Sequence, residues 1–335
     1  MNWTIMASKA FGMSEESIFF NDRPVSWSVG NLRTLLTMGV TRIMVDTRMS
    51  ISGKHVEQIC RIIQLERCNY VFVPGYIAQD MISSSILHQN FNAVDVMIFS
   101  GERMPKRFAY LIGRFCRTLF AFYGTTELGG ATCFSSQNPE EYEDGIAGIP
   151  HDGIEIKIVD ENGDTVKRGA SGELLVRTIG RFVGYYKMPD LFERIVDKSG
   201  WFHTGDIARI RDDGNIVTYG RQAELVSIGT MKFFLWEVEN ILLRCPGVKA
   251  AIAVGVPDLR LNQVVCAVII PHSESSVTEE EIKRFCDENF VEESTAMAVT
   301  IKPRYIIFID KIPHLESGKI NRREIASIAR SRLGL

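Results

Sequence analysis

The sequence contains no Cys-x-x-Cys pair, no histidines at metal-ligand spacing, no membrane-length apolar run and no marked excess of either charge. Each absence removes a class of function. The seven cysteines, at 60, 68, 116, 133, 245, 266 and 286, are odd in number and far apart, which argues against a disulfide framework or a zinc site and for reduced thiols in an intracellular compartment. The longest apolar stretches, such as Val264 to Ile270, have strand length and are far too short to span a bilayer. With a net charge of −3 the chain offers no electrostatic case for nucleic acid or an anionic membrane. The first twelve residues hold one lysine and no arginine, so neither a secretory signal nor a mitochondrial presequence is visible. Arg332-Leu-Gly-Leu335 is not a peroxisomal address. The expected location is the cytoplasm, or the mitochondrion if a leader precedes Met1. What remains is a chain of 335 residues, 45% hydrophobic and 24% charged, long enough for two domains.

Between Val40 and Phe134 apolar runs alternate with amphipathic ones. Strands are expected at Thr41–Asp46, Tyr70–Val73 and Val94–Phe99, and helices at His55–Glu66, Ala78–Leu87 and Lys106–Phe115. That alternation predicts an α/β fold, a doubly wound and mostly parallel sheet whose ligands sit at the carboxyl ends of its strands. From about Gly145 to Arg221 the pattern changes to short β runs with Asn-Gly and Asp-Gly turns, the mark of a small antiparallel β subdomain. Residues 222–335 read as a compact α+β domain of about 110 residues, with a helix over Leu235–Leu243 and another opened by the capping sequence Thr278-Glu-Glu-Glu281. The expected division is therefore 1–221 and 222–335.

Four polar motifs punctuate this frame. Tyr123-Gly-Thr-Thr-Glu127 sets an aromatic ring, two hydroxyls and a carboxylate within five residues: the ring can stack on a purine, the hydroxyls can donate to phosphate and the carboxylate can hold Mg²⁺. In Trp201-Phe-His-Thr-Gly-Asp206, Asp206 is expected after a glycine at the start of a strand, as an acceptor for ribose hydroxyls. Gly220-Arg221 adds a guanidinium. In Pro313-His-Leu-Glu-Ser-Gly-Lys-Ile-Asn-Arg322, Gly318 clears space behind a long cation, Lys319. Taken singly, each is equally an ordinary polar turn or a solvated loop. Their order carries more information than any one of them.

The ordered set, with Gly172-Glu-Leu174 and Gly184-Tyr-Tyr186 between, resembles the adenylate-forming superfamily of acyl- and aryl-CoA synthetases, luciferases and peptide-synthetase adenylation domains. Glu281–Cys286 and Pro303–Phe308 are most similar to medium-chain acyl-CoA synthetases. The resemblance implies a ligase that joins ATP and a carboxylic acid (a fatty acid) into an acyl-adenylate, then transfers the acyl group to coenzyme A. It implies that Tyr123 stacks on adenine with Gly101 and Glu102 lining its other side. Gly124 and Thr125 belong to the same nucleotide segment, Thr126 touches phosphate and Glu127 holds Mg²⁺. Asp206 and Arg221 bind the ribose and its surroundings, and Lys319 bridges the attacking carboxylate and the α-phosphate. It also implies a small C-terminal domain that rotates about a hinge just after Arg221.

The chain departs from the family pattern in two places. A glycine-, serine- and threonine-rich phosphate loop is absent, and roughly two hundred residues of a typical member's first domain have no counterpart, so adenylation is expected to be severely impaired and some apolar sheet surface left uncovered. Near the hinge, Ala223 stands in place of lysine or aspartate, Thr230 in place of glycine and Leu235 in place of proline. A threonine at positive φ would add strain of about 1 kcal/mol or more. The alternative expectation is therefore a non-catalytic nucleotide- or acyl-binding protein built on the same scaffold. A peptide-synthetase domain is disfavoured, since no carrier domain follows Lys319.

Overall fold

The computed structural model describes residues 11–25, 27, 29–30, 33–46, 55–83, 93–228, 231–272, 276–290, 301–315 and 320–335. The chain divides into two compact units, Met1–Gly220 and Arg221–Leu335.

The first unit opens with five strands: β1 (Ile18–Phe20), β2 (Thr41–Ile43), β3 (Tyr70–Val73), β4 (Val94–Ser100) and β5 (Cys116–Thr125). They run parallel in the order β2-β1-β3-β4-β5. Apolar runs such as Val96-Met-Ile-Phe99 suit strands buried on both faces. On one face Val71, Met97, Phe99, Leu119 and Ala121 pack against Ile59, Cys60 and Ile63 of the helix Val56–Leu65 and Ile77, Ala78 and Met81 of the helix Gly75–Ser83. On the other, Phe19, Tyr70, Phe72, Val96, Ile98 and Phe120 pack with Met13 and Val40, and Phe11, Val29 and Met38 close over them. The strand side chains of this face are buried, Phe120 the least so at 9% exposure.

Two expected helices have other limits among the described residues. Lys106–Leu111 is a single 3-10 stretch, because Ile112 is extended and Gly113 takes φ +77°, after which Cys116 enters β5. Gly75–Ser83 replaces the expected Ala78–Leu87, whose last four residues lie outside the described residues.

After β5 the pairing changes sense without interrupting the sheet. Strands β6 (Gly129–Ser136), β7 (Ile146–Pro150), β8 (Ile154–Val159), β9 (Ser171–Thr178), β10 (Phe202–Ile210) and β11 (Ile216–Arg221) extend it in the order β5-β6-β7-β11-β10-β9-β8, giving eleven strands in all. The antiparallel subdomain is thus a continuation of the parallel sheet, with its own core of Leu128, Ala147, Ile158, Leu174, Val176, Phe202 and Ile216. Within β10 the register against β9 shifts between His203 and Ile207, and Gly205 sits in that interval at φ +69°. A bulge with glycine in the left-handed region bends the strand and re-aims the side chain that follows.

The second unit pairs β12 (Leu225–Ile228) with β13 (Met231–Phe234) and carries a three-stranded sheet of β14 (Val248–Asp258), β15 (Asn262–Pro271) and β16 (Tyr305–Phe308). One face buries Ala251, Ala253, Val265 and Ala267 with Val238 and Leu242 of the helix Leu235–Leu242 and Ile282 and Cys286 of the helix Glu279–Asn289. Leucine in place of proline at position 235 does not prevent the first of these helices, because the Phe234 N–H donates to Glu237 Oε1 at 2.9 Å. The second starts as its sequence predicts: Thr278 Oγ1 accepts from the Glu281 N–H while the Glu281 carboxylate accepts from the Thr278 N–H. The other sheet face packs on Ile325 and Ala329 of a helix that the sequence reading missed, Arg322–Leu333. Its signals were present, an Asn321 side chain accepting from the Glu324 N–H and Gly334 at φ +70° beyond its end.

All seven cysteines are free, and six of them are buried. Burial pushes Cys60, Cys116, Cys133 and Cys266 up to about 12 and Cys68 and Cys286 up to about 11. At pH 8 the native chain should therefore react with a thiol reagent far more slowly than the chain in denaturant. The unfolded thiols ionise near 9.0. Their contribution to stability is thus complete below pH 9 and is lost as pH rises toward 12, which a denaturation series over that window would register. Gly205→Ala places a Cβ on a left-handed residue, so the denaturation midpoint of the first unit should fall by an amount equivalent to about 1–2 kcal/mol.

Candidate active site

The site grows from the carboxyl ends of β4 and β5, where a parallel sheet leaves backbone ends and loops to meet a ligand. β5 does not stop before the Tyr123 motif. Tyr123, Gly124 and Thr125 are its last residues, and the turn to β6 is made by Thr126, Glu127 and Leu128. Gly124 is required there, since a Cβ would stand 2.1 Å from the Gly129 carbonyl oxygen. The Thr125 hydroxyl accepts from the Leu128 N–H at 3.3 Å and helps to close the turn, while Thr126 is exposed at its tip.

Gly101 follows β4 at φ +95° and turns the chain into Glu102. The Glu102 carboxylate rests against Gly75, where a Cβ would come within 2.6 Å of its Oε2. Gly75 begins the helix Gly75–Ser83, and a helix start favours negative charge. Glu102 and Tyr123 share a small cavity with Phe99, Met104, Phe122, Ile146, Ala147 and Thr218. Two segments expected to flank one ring therefore meet.

Asp206 is not at the start of a strand, as expected, but within β10, immediately after the Gly205 bulge. It is 7% exposed, and the Tyr123 hydroxyl donates to its Oδ2 at 2.6 Å. The bulge is held from the side by Glu173 of the Gly-Glu-Leu segment: Oε1 accepts from the Gly205 N–H at 3.2 Å and Oε2 lies 3.0 Å from His203 Nδ1. Thr204 donates to the Leu174 carbonyl at 2.7 Å and accepts from the Asp206 N–H at 3.0 Å. The family segments quoted from sequence thus hold one another in place.

Glu127 is half-buried in the turn and is gripped at two points. The Tyr185 hydroxyl donates to its Oε1 at 2.6 Å, and the Phe182 N–H donates to its main-chain carbonyl at 2.7 Å. Neither partner was assigned from sequence, although Gly184-Tyr-Tyr186 had been recognised as a segment. The signal was the tyrosine itself, whose polar tip seeks a partner when its ring is packed, here edge-on to Phe182 with centroids 4.9 Å apart.

The structure brings Glu102, Tyr123 and Asp206 together and sets Thr126 and Glu127 on the same hairpin as Tyr123. Arg221 is exposed and opens the second unit, and Lys319 and Thr230 lie outside the described residues. The described residues before and after Lys319 pair with each other, by an antiparallel bridge between His314 and Ile320 and by the Asn321 N–H donating to the Pro313 carbonyl at 2.9 Å. Arg322, the last residue of that motif, donates to both carboxylate oxygens of Glu239 at 2.6 and 3.0 Å. Among the described residues no group of three or more histidine, cysteine, aspartate or glutamate side chains could hold a metal. A magnesium ion does not need one, since it binds through one or two carboxylates together with substrate phosphates and water. Glu127 fits that demand. No described helix is long and apolar enough to cross a membrane.

Comparison with known proteins places this geometry in a family. Residues 2–186 match the AMP-binding enzyme family and residues 237–319 its C-terminal domain. The chain is 32% identical over 279 residues to a long-chain-fatty-acid–CoA ligase of Escherichia coli O157:H7, covering 80% of this chain and 47% of the relative. It is 27% identical over 318 residues to the medium-chain fatty-acid–CoA ligase of E. coli K12, covering 92% and 53%. The chain spans about half the length of these curated relatives. Among solved structures, ATP-bound MatB from Rhodopseudomonas palustris superposes with a TM-score of 0.81 at 18% identity over 98% of this chain and 63% of that one. The O-succinylbenzoate CoA synthetase of Bacillus subtilis, in complex with ATP and magnesium ion, gives 0.77 at 21% identity over 96% and 64%. The matched segments span more than half of the sequence, and this chain belongs to the AMP-binding enzyme family.

Proposed function

We propose that the chain carries the nucleotide-handling face of an ATP-dependent acid–CoA ligase acting on fatty acids. A carboxylate oxygen attacks the α-phosphorus of ATP, pyrophosphate leaves, and the thiol of coenzyme A then displaces AMP from the acyl-adenylate. The observation that carries this reading is the hydrogen bond from Tyr123 to the buried Asp206, which sets a purine-sized ring face beside a carboxylate suited to ribose hydroxyls. The E. coli relatives, named for long- and medium-chain fatty acids, favour a fatty acyl substrate.

The residues divide the work by chemistry. Gly101 lets the chain turn so that Glu102 and Tyr123 come to one small cavity, and the Tyr123 ring stacks on adenine with the Gly101–Glu102 segment on its other side. Asp206, held by the Tyr123 hydroxyl, accepts from the ribose. Thr126, exposed at the hairpin tip, donates to phosphate, and Glu127 holds magnesium, which when bound neutralises phosphate charge. Arg221 contributes a guanidinium near the ribose. Lys319 stabilises the charge that develops between carboxylate and α-phosphate, an electrostatic task suited to a long cation. The second unit, from Arg221 onward, is the part that rotates between the two half-reactions.

A second reading is nucleotide binding without turnover, favoured by the absence of a glycine-, serine- and threonine-rich phosphate loop within these 335 residues. Incubation with ATP, CoA and a panel of fatty acids, with AMP release measured beside calorimetry against AMP, separates the two. Ligase action predicts acid-dependent AMP release that Lys319→Ala lowers by about 100- to 1000-fold while AMP binding persists. Binding with no release by the unaltered chain establishes the second reading. A folded chain that does not bind AMP overturns both.

A further inference from the structure

We infer that Tyr185 is a positioning residue for Glu127, and that the segment Arg181–Tyr186 is the brace that aims this carboxylate; the inference rests on the reading of Glu127 as the magnesium- and phosphate-facing group. The turn Thr126–Leu128 is held at its far end, where Leu128 is buried and its N–H donates to Thr125 Oγ1 at 3.3 Å, while Thr126 is exposed. A glutamate there has three rotatable side-chain bonds, and an unbraced carboxylate would sample many positions.

The brace supplies two donors to one residue from a segment about 55 residues further along the chain. The Phe182 N–H fixes the Glu127 main chain at 2.7 Å, and the Tyr185 hydroxyl fixes its Oε1 at 2.6 Å. The second is a charge-assisted bond of the short, strong kind. The brace is itself anchored: the Phe182 ring sits within 5.4 Å of Phe192 and 6.1 Å of Phe202, centroid to centroid, so it is tied to the helix Pro189–Ile195 and to β10. β10 also carries Asp206. The ribose-facing and metal-facing carboxylates are therefore referenced to one strand, Asp206 directly and Glu127 through Phe182 and Tyr185.

Four forms of the full chain test this: the unaltered protein, Tyr185→Phe, Glu127→Gln and the double variant. Two readouts are taken. One is the Mg²⁺ dependence of ATP binding by calorimetry, with metal-free AMP as the control. The other, taken without ligand, is amide hydrogen exchange over residues 125–128 and 181–186. The expected result is that Tyr185→Phe and Glu127→Gln each weaken Mg²⁺-dependent ATP binding by about tenfold, the scale of one hydrogen bond to a charged group. The double variant should be no worse than Glu127→Gln, because Tyr185 acts through Glu127. AMP binding should be unchanged, and exchange of the Thr126–Leu128 amides should quicken in Tyr185→Phe. A purely structural tyrosine would weaken AMP binding as well. If Glu127→Gln loses the Mg²⁺ dependence while Tyr185→Phe keeps it, the positioning role is overturned and the reading of Glu127 stands. If Glu127→Gln has no effect on Mg²⁺ dependence, the metal reading fails instead, and the exchange rates alone decide the brace: unchanged exchange in Tyr185→Phe overturns it.

Discussion

The hydrogen bond from Tyr123 to Asp206 joins residues 83 positions apart, one ending the last parallel strand and the other lying within the antiparallel extension. A bond of this kind has value only if both ends arrive with little freedom left. Tyr123 is fixed by the β4-β5-β6 pairing and by Gly124, which lets the two strands of the hairpin close. Asp206 is fixed by the Gly205 bulge and by the Glu173 carboxylate that holds it. An aspartate so buried needs its acceptors satisfied, because an uncompensated carboxylate in an apolar setting is far more costly than a bonded one. The Tyr123 hydroxyl supplies one such donor to Asp206, and the same tyrosine lines the cavity beside Glu102.

Continuity of the sheet explains how such distant segments are brought to one place. Parallel strands need crossovers, so β1 to β5 are joined through helices or longer segments, whereas β6 to β11 follow mainly by turns and hairpins. The change of sense falls within the Tyr123 motif. A parallel sheet presents its strand ends to ligand, and an antiparallel one presents its turns. At the junction both are available, which puts Gly101 and Glu102 at the end of β4, the Thr126–Glu127 turn and the bulged middle of β10 within a single sheet. A boundary near Gly145, as the change in sequence texture suggested, would cut this arrangement in two.

Much of the frame could be read directly because the signal was local. Tyr70–Val73 is a strand with the expected limits, and Val94–Phe99 and His55–Glu66 differ by one residue at an end or at each end. The Thr278–Glu281 capping box is two hydrogen bonds within four residues, so its sequence signature is its structure. The failures share one cause. Lys106–Phe115 has helical spacing but only six helical residues, because Gly113 at positive φ and the need to enter β5 at Cys116 override the pattern. Asp206 was placed at a strand start because Gly205 resembles a turn, and only the neighbouring strand shows that it is a bulge. Glu173 and Tyr185 lay within recognised segments, yet their roles depend on partners 32 and 58 positions away, and no local spacing records that.

In the C-terminal motif, too, one side chain owes its place to a partner far away in sequence. Arg322 occupies the first turn of the helix Arg322–Leu333, where the helix dipole disfavours a positive charge. Its position is explained by Glu239, whose carboxylate takes both guanidinium donors and whose Oε1 also accepts from the Ala253 N–H at 2.9 Å. One carboxylate therefore ties the helix Leu235–Leu242, the strand β14 and the start of the last helix. The His314–Ile320 bridge adds a second tie just before the start of that helix.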